Sequence, residues 1–330
     1  MRVAQRWKDG QMTAQPHDAG FRRVEMSGWD PTISVVIPHL NQSESLARCL
    51  ASLAAGRRQA AEIIVVDNGS VNLPEAVCAA HPSVTLLSEL TPGPGPARNR
   101  GVAIARGTIL AFIDADCLAD ANWLAAASAA MADPKAQILG GDVQIALGDP
   151  ARLTPLEAYE CIYAYRMDRY IAREGFTGTG NLVVKREVLA AVGPFAGLEV
   201  AEDRDWGQRA TRSGYNLRYI ADMKVYHPAR QSFAELARKW DRHVAHDYLF
   251  ARVKPFGKLR FLAKMLAMGV SPLAEIPRIL VSDRVSGIAN RYRAFGSMAR
   301  VRLYRARIMA KLLAGTDPAE LSGAWNRGQN

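Results

Sequence analysis

Cysteine is scarce. Cys49, Cys78, Cys117 and Cys161 are the four in 330 residues, and none forms a CxxC pair with another. That excludes a zinc knuckle and a disulfide framework and fits a reducing compartment, with all four read as small buried hydrophobes. An uninterrupted apolar run is missing too. A clean membrane span needs about 20 mostly apolar residues. The most apolar stretch, 261–281, contains Lys264, Pro272, Glu275, Pro277 and Arg278. It therefore reads as a segment lying in the plane of an interface rather than crossing one. Residues 1–30 mix Arg, Lys, Asp and Gly with no apolar core, so they read as a flexible lead-in and not as a signal peptide. The glycines of Pro92-Gly-Pro-Gly-Pro96 do not have GxGxxG spacing, which excludes a dinucleotide-binding fingerprint. No internal repeat or low-complexity tract is present.

The net charge of +10 is unevenly placed. Residues 1–228 hold 23 Lys/Arg against 25 Asp/Glu, whereas residues 229–330 hold 19 against 7. A near-neutral body carries a basic tail, and such a tail suits an anionic surface. No nucleic-acid reading motif accompanies the charge, so nucleic acid is not expected as a partner.

From residue 33 onward, apolar runs alternate with helical periodicity. Ile33–Ile37, Glu62–Val66, Val84–Leu87 and Thr108–Ile113 predict strands. Leu46, Cys49, Leu50 and Leu53 recur at helical spacing after the start signals Ser43 and Glu44. Further helices are expected near 74–80, 97–105 and 120–132. Continuous apolar strands separated by helices predict an α/β fold with a mostly parallel sheet covered on both faces. The second half is less regular. One helical stretch is expected over 153–174, with a tyrosine stripe (Tyr159, Tyr163, Tyr165, Tyr170) assigned to core packing. A Gly/Thr loop at 177–181 follows, then a strand at 182–184, helices over 186–192 and 203–213, and a strand at 224–226. Residues 231–330 read as mainly helical.

Polar groups follow three of these strands directly: Pro38 to Asn41, Asp67 to Ser70, and Asp114 to Asp116. In open α/β sheets a ligand crevice lies beyond the carboxyl ends of the strands, so these groups are expected to share one edge. Asp114-Ala115-Asp116 has the oxygen donors that Mg²⁺ or Mn²⁺ takes alongside substrate phosphates. Glu202-Asp203 opens a helix. It has two readings of equal weight: a carboxylate serving as general base, or acidic capping of the helix start. His227 is a candidate third metal ligand, or a strand-end histidine bonded to backbone. Arg98 could bring a guanidinium to a phosphate, or belong to a surface loop.

Taken in order, these segments resemble the family 2 glycosyltransferases, which have the GT-A fold. The resemblance runs from Ile33-Ser-Val-Val-Ile-Pro-His-Leu-Asn41 through Glu62–Ser70, Ala97-Arg98-Asn99 with Gly101, and Asp114-Ala-Asp116. It continues with Gly178-Thr-Gly-Asn181, Lys185-Arg186, Gly193-Pro-Phe195, Glu202-Asp203, Arg209, Gly214-Tyr215 and His227. It covers about residues 33–250. It implies a catalytic domain over 31–228, with a nucleotide half at 31–118, an acceptor half at 119–228, and a basic helical region over 229–330. It implies donor binding by Pro38, His39, Asn41, Glu44, Asp67, Asn68, Ser70, Arg98, Asp114 and Ala115. A divalent metal, Mn²⁺ or Mg²⁺, would sit on Asp116, Asp114 and His227. Asp203 would be the base of a single inverting displacement, and Gly180, Asn181, Glu202 and Trp206 would lie on the acceptor side.

Leu40 stands where many relatives carry an aromatic residue, and Asn68 replaces a frequent second Asp. Both leave the nucleobase open, with UDP the default. No QxxRW signature is present, which favours a single addition over processive synthesis. The expected partners are a nucleoside-diphosphate sugar, a glycan or lipid-linked acceptor, and an anionic membrane at the cytoplasmic side. Each basic residue near such a membrane contributes about 1 kcal/mol. Three alternatives stay open: a nucleotidylyltransferase, a non-catalytic nucleotide-binding subunit, and a tail that merely packs on the body.

Overall fold

The four apolar runs of the first half form strands β1 (Ile33–His39), β2 (Glu62–Asp67), β3 (Val84–Ser88) and β4 (Ile109–Ile113) in a computed structural model that describes residues 31–318 and 320. The lead-in expected at 1–30 lies outside the described residues. Four further strands are β5 (Leu118–Ala119), β6 (Ile138–Ala146), β7 (Asn181–Lys185) and β8 (Leu217–Pro228). Among the described residues all eight belong to one sheet, in the order β3-β2-β1-β4-β7-β6-β8-β5. The β3-β2-β1-β4 half is wholly parallel, and β6 pairs β8 parallel, while β7 runs antiparallel to both neighbours and β5 antiparallel to β8.

Both faces of the parallel half are covered over its central strands, which is why β1, β2 and β4 carry near-continuous apolar runs, while β3 at the edge is partly exposed. Val35 and Ile37 point to one face, against Leu46, Cys49, Leu50 and Leu53 of helix α1 (Ser43–Ala54) and Trp123 of the later helix Trp123–Met131. Val36, Ile64 and Phe112 point to the other, against Phe195 and Trp206. The short α2 (Glu75–Ala79) follows β2, and α3 (Pro94–Ile104) begins on Pro94, whose missing N–H costs a first helical turn nothing. Trp123–Met131 is α4. All four cysteines are free and buried, as expected.

The second half departs from the sequence reading in three places. Strand β6 was not anticipated, because Gly140 and Gly141 interrupt its apolar pattern. A side chain at Gly140 would meet Thr177 Oγ1 at 2.5 Å, and one at Gly141 would meet the Met223 carbonyl at 2.0 Å. These glycines mark close backbone approach inside a strand. Strand β8 is 12 residues long, far beyond the three expected, and is mostly half-exposed, so its pattern is mixed. The stretch 153–174 is two helices, α5 (Pro155–Tyr163) and α6 (Met167–Glu174), broken where Tyr165 takes φ +49°. Helices α7 (Arg186–Val192) and α8 (Glu202–Arg212) match expectation within a residue.

The basic tail is helical: α9 (Phe233–Arg252), α10 (Gly257–Val270), a 3-10 turn (Leu273–Glu275), α11 (Ile276–Leu280) and α12 (Ile288–Leu313). It is not a loose appendage. Leu236, Ile279, Ala294, Met298 and Val301 share one core with Ile145, Leu153, Tyr159 and Ile162 of the body. Asn290 of α12 accepts from the Leu153 amide and donates to the Ala151 carbonyl. A second small core joins Val244 and Tyr248 of α9, Phe261 of α10, and Ile308, Met309 and Leu312 of α12. Among the described residues no helix is long and apolar enough to cross a membrane.

Candidate active site

Parallel strands in register deliver their C-terminal residues to one edge. His39 and Asp67 are paired across β1 and β2. His39 Nε2 accepts from the Gln42 amide, so Nδ1 carries the proton and donates to Asp67 Oδ1 at 2.8 Å. Asp67 Oδ2 accepts from the amides of Gly69 and Ser70. Burial pushes the Asp67 carboxyl up, but hydrogen bonds from Ser70 and His39 outweigh it and hold its pKa below the usual value. Asp67 is therefore an ionised carboxylate tying two loops together. Asn68 ties a third: its amide nitrogen donates to the Glu89 and Thr91 carbonyls, and its oxygen accepts from Gly93. Asn41, in a left-handed turn at φ +53°, accepts from Val71 and donates its amide to Ser70. Pro38 is half-buried at the end of β1, and Asn41 and Glu44 line an open depression beside it.

Beyond β4 the geometry turns on Arg98 of α3. Its guanidinium is 3% exposed and divided between two carboxylates, donating to Asp114 Oδ1 at 2.6 Å and Glu202 Oε1 at 2.9 Å. This cation fastens the end of β4 to the start of α8, and Asp203 is the next residue. A methyl group on Gly180 would meet Asp114 Oδ2 at 2.6 Å, and one on Gly178 would approach Asp203 Oδ2 at 4.0 Å. The Gly178–Gly180 loop thus runs past both carboxylates. Asp203 Oδ1 accepts from the Arg204 amide. Burial, then the charge on Glu202, raises its pKa from 3.8 to about 6, against weaker opposing effects of the Arg204 amide and Arg98. Asp114 also raises it, so the two carboxylates feel one another.

Asp116 meets His227 from β8, with Oδ2 and Nε2 3.6 Å apart. His227 Nδ1 lies 2.7 Å from the Pro228 carbonyl, which can only accept, so Nδ1 carries a proton and Nε2 is the nitrogen turned to Asp116. Asp116, Cys117 and His227 offer ligand atoms within 4.8 Å of one another. Burial and the charges of Asp114 and Asp116 push the Cys117 thiol well up, so it stays protonated. A carboxyl group and an imidazole remain, a pair that fits Mn²⁺ or Mg²⁺ better than a soft thiophilic ion. Asp114 is turned toward Arg98 and is not in this group. Ala115, between the two aspartates, is buried.

Some expected site residues do not face the cleft. Asn181 is fully buried, accepting from the Trp123 indole and donating to the Asp142 and Met223 carbonyls. Trp206 is buried against Phe195 and donates to the Gly193 carbonyl. His39 and Arg98 are likewise internal. These four shape the site from behind. One participant was hidden in the tyrosine stripe. The Tyr165 hydroxyl lies 3.0 Å from His227 Nε2, with ring centroids 4.5 Å apart. Its left-handed backbone was the unseen signal. Behind it stands the buried Glu160, ion-paired with Arg230.

A family model described as "Glycosyl transferase family 2" matches residues 34–199. The glycosyltransferase AglE of Haloferax volcanii is 32% identical over 217 residues, spanning 63% of this chain and 70% of its own length. The succinoglycan biosynthesis protein ExoO of Rhizobium meliloti is 34% identical over 89 residues, 26% of each chain. Among solved structures, the mannosyltransferase PcManGT of Pyrobaculum calidifontis, in complex with GDP-Man and Mn²⁺, superposes with a TM-score of 0.56 at 17% identity. That match covers 87% of this chain and 88% of that one. It is a likeness of fold.

Proposed function

The chain belongs to glycosyl transferase family 2 and has the GT-A fold, and from that premise we propose that it moves one sugar, with inversion, from a UDP-sugar to a hydroxyl of a lipid-linked glycan in surface-polysaccharide assembly. One observation carries this reading: Arg98 holds Asp114 and Glu202 together, so the end of β4 and the base candidate Asp203 border the same Gly178–Gly180 loop. Asp203 accepts the proton of the acceptor hydroxyl as its oxygen bonds to the anomeric carbon and the bond to diphosphate breaks. A carboxylate with pKa near 6 is an effective base at neutral pH. Asp116 and His227 would hold a divalent ion, with Asp114 beside them; such an ion stabilises charge on a departing diphosphate. Loops tied by Asp67, Asn68, Ser70 and Asn41, with Pro38 and Glu44 at their rim, cradle the nucleoside. Gly180 and Glu202 border the acceptor.

Catalysis belongs to residues 31–228, and the basic region 229–330 serves as a support that rests on an anionic membrane, at the inner face of the plasma membrane. The test is a thermal-shift screen of nucleoside diphosphates with Mn²⁺, followed by transfer assays. UDP raising the melting temperature only with Mn²⁺, and more than GDP, supports the donor assignment. A larger GDP effect would replace it, and no nucleotide effect would remove it.

A further inference from the structure

We infer that the outer face of α10, continued through the 3-10 turn and α11, is a membrane-docking surface that lies flat on an anionic bilayer and does not serve as a protein interface. This deepens the membrane part of the reading above. Helix α10 is apolar on two sides. Its inner side buries Phe261 against Tyr248 and α12. Its outer side presents Leu259, Leu262, Leu266 and Val270, at spacings of three and four, with Leu266 60% and Val270 75% exposed. An ordinary surface helix has one apolar stripe, facing the core. Here the second stripe runs the length of a 14-residue helix, about 21 Å, and goes on through Leu273 and Leu280. At its start, Phe250 and Phe256 are 72% and 77% exposed. Phe256 holds φ +56°, a strained backbone for a bulky residue, and turns an aromatic ring outward.

Charge selects the occupant. Arg252, Lys254, Lys258 and Arg260 are exposed around this apolar strip. Between residues 250 and 281 the one acidic side chain is Glu275, which faces inward to Arg302 and Tyr163. An apolar stripe edged with cations fits acyl chains beneath anionic headgroups, and its in-plane course fits an interfacial helix. The surface is also fixed relative to the catalytic body. Ile279 of α11 is buried in the shared core, and Arg278 stacks over Tyr163 at 4.5 Å and donates to the Ile162 carbonyl, three residues from Tyr165. A docked enzyme would therefore hold its α5–α6 limb at a set height above the lipid.

The test is co-flotation of the full chain with vesicles of phosphatidylcholine alone or with about 30 mol% phosphatidylglycerol. Wild type is expected to float with anionic vesicles and to be released at ~0.5 M salt. L259S/L266S, with an unchanged melting temperature, is expected to lose at least about fivefold in bound fraction, and K254E/K258E to lose the preference for anionic lipid. Equal flotation of L259S/L266S and wild type overturns the inference, as does wild type that stays with the pellet. A concentration-dependent dimer abolished by L259S/L266S, without flotation, would assign the face to a second copy and also overturn it. Flotation needs no sugar donor, so its failure is separate from failure of the transferase reading, which Mn²⁺-dependent nucleotide shifts report.

Discussion

At the scale of single residues, Asp203 makes the sharpest prediction because function and stability pull it in opposite directions. Its pKa rises from 3.8 to about 6 on folding, so between those values the folded chain holds a proton that the unfolded chain does not. Stability from this group is therefore present at low pH and is lost as pH rises through about 6. Transfer needs the ionised form, so kcat/KM should climb through the same range. Asp203→Asn is expected to cut kcat at least ~100-fold with donor affinity kept. It should also melt higher than wild type at pH 8, by up to about 2 kcal/mol of stability, a difference that shrinks toward pH 4. Calorimetry at both pH values, beside transfer assays, checks this; a variant with full rate would remove the base assignment. Gly180→Ala places a methyl 2.6 Å from Asp114 Oδ2 and should lower kcat/KM by ~10–100-fold. Steady-state kinetics on the purified variant read this directly.

At the scale of elements, two contacts join pieces far apart in the chain. Arg98→Met leaves Asp114 and Glu202 facing each other with no cation between them. Since Asp114 is 36% exposed, water offsets part of the loss, and the expected destabilisation is ~2–3 kcal/mol, measured by denaturant titration. Arg98→Lys should recover little, because one ammonium cannot reproduce a fork that reaches two carboxylates. Tyr165→Phe removes the hydroxyl beside His227 and should weaken Mn²⁺ binding about tenfold, read by isothermal titration, with little change in melting temperature. Neither contact could be read from spacing. Arg98 looked like a loop residue available to phosphate, and Tyr165 looked like one more ring of a core stripe. What separates them from their neighbours is a partner more than 60 residues away in the chain.

At the scale of the whole molecule, the boundary near residue 228 divides charge but not packing. A fragment ending there would uncover Ile145, Leu153, Tyr159 and Ile162. It should aggregate or melt well below the full chain in a thermal scan; a monodisperse fragment with the parent melting temperature would contradict this. Composition alone determined that the tail is basic and too interrupted to span a bilayer. Periodicity alone determined the parallel half of the sheet, because its central strands, covered on both faces, carry near-continuous apolar runs, and α1 repeats its four core residues every three or four places. The acidic groups at 67, 114 and 116 were also legible as strand ends, since they stand where apolar runs stop, whereas Asp203 opens a helix and its sequence context fitted a base and an acidic helix cap equally. Only the tertiary structure decided which of them touch. It turned Asp114 to Arg98 and Asp116 to His227, sent Asn181 and Trp206 inward, let Gly140 and Gly141 sit inside a strand, and gave α10 a second, exposed apolar side. The reason is physical: local pattern records how much of a residue is buried, whereas partners across the sheet are set by three-dimensional contact, which no short window of sequence contains.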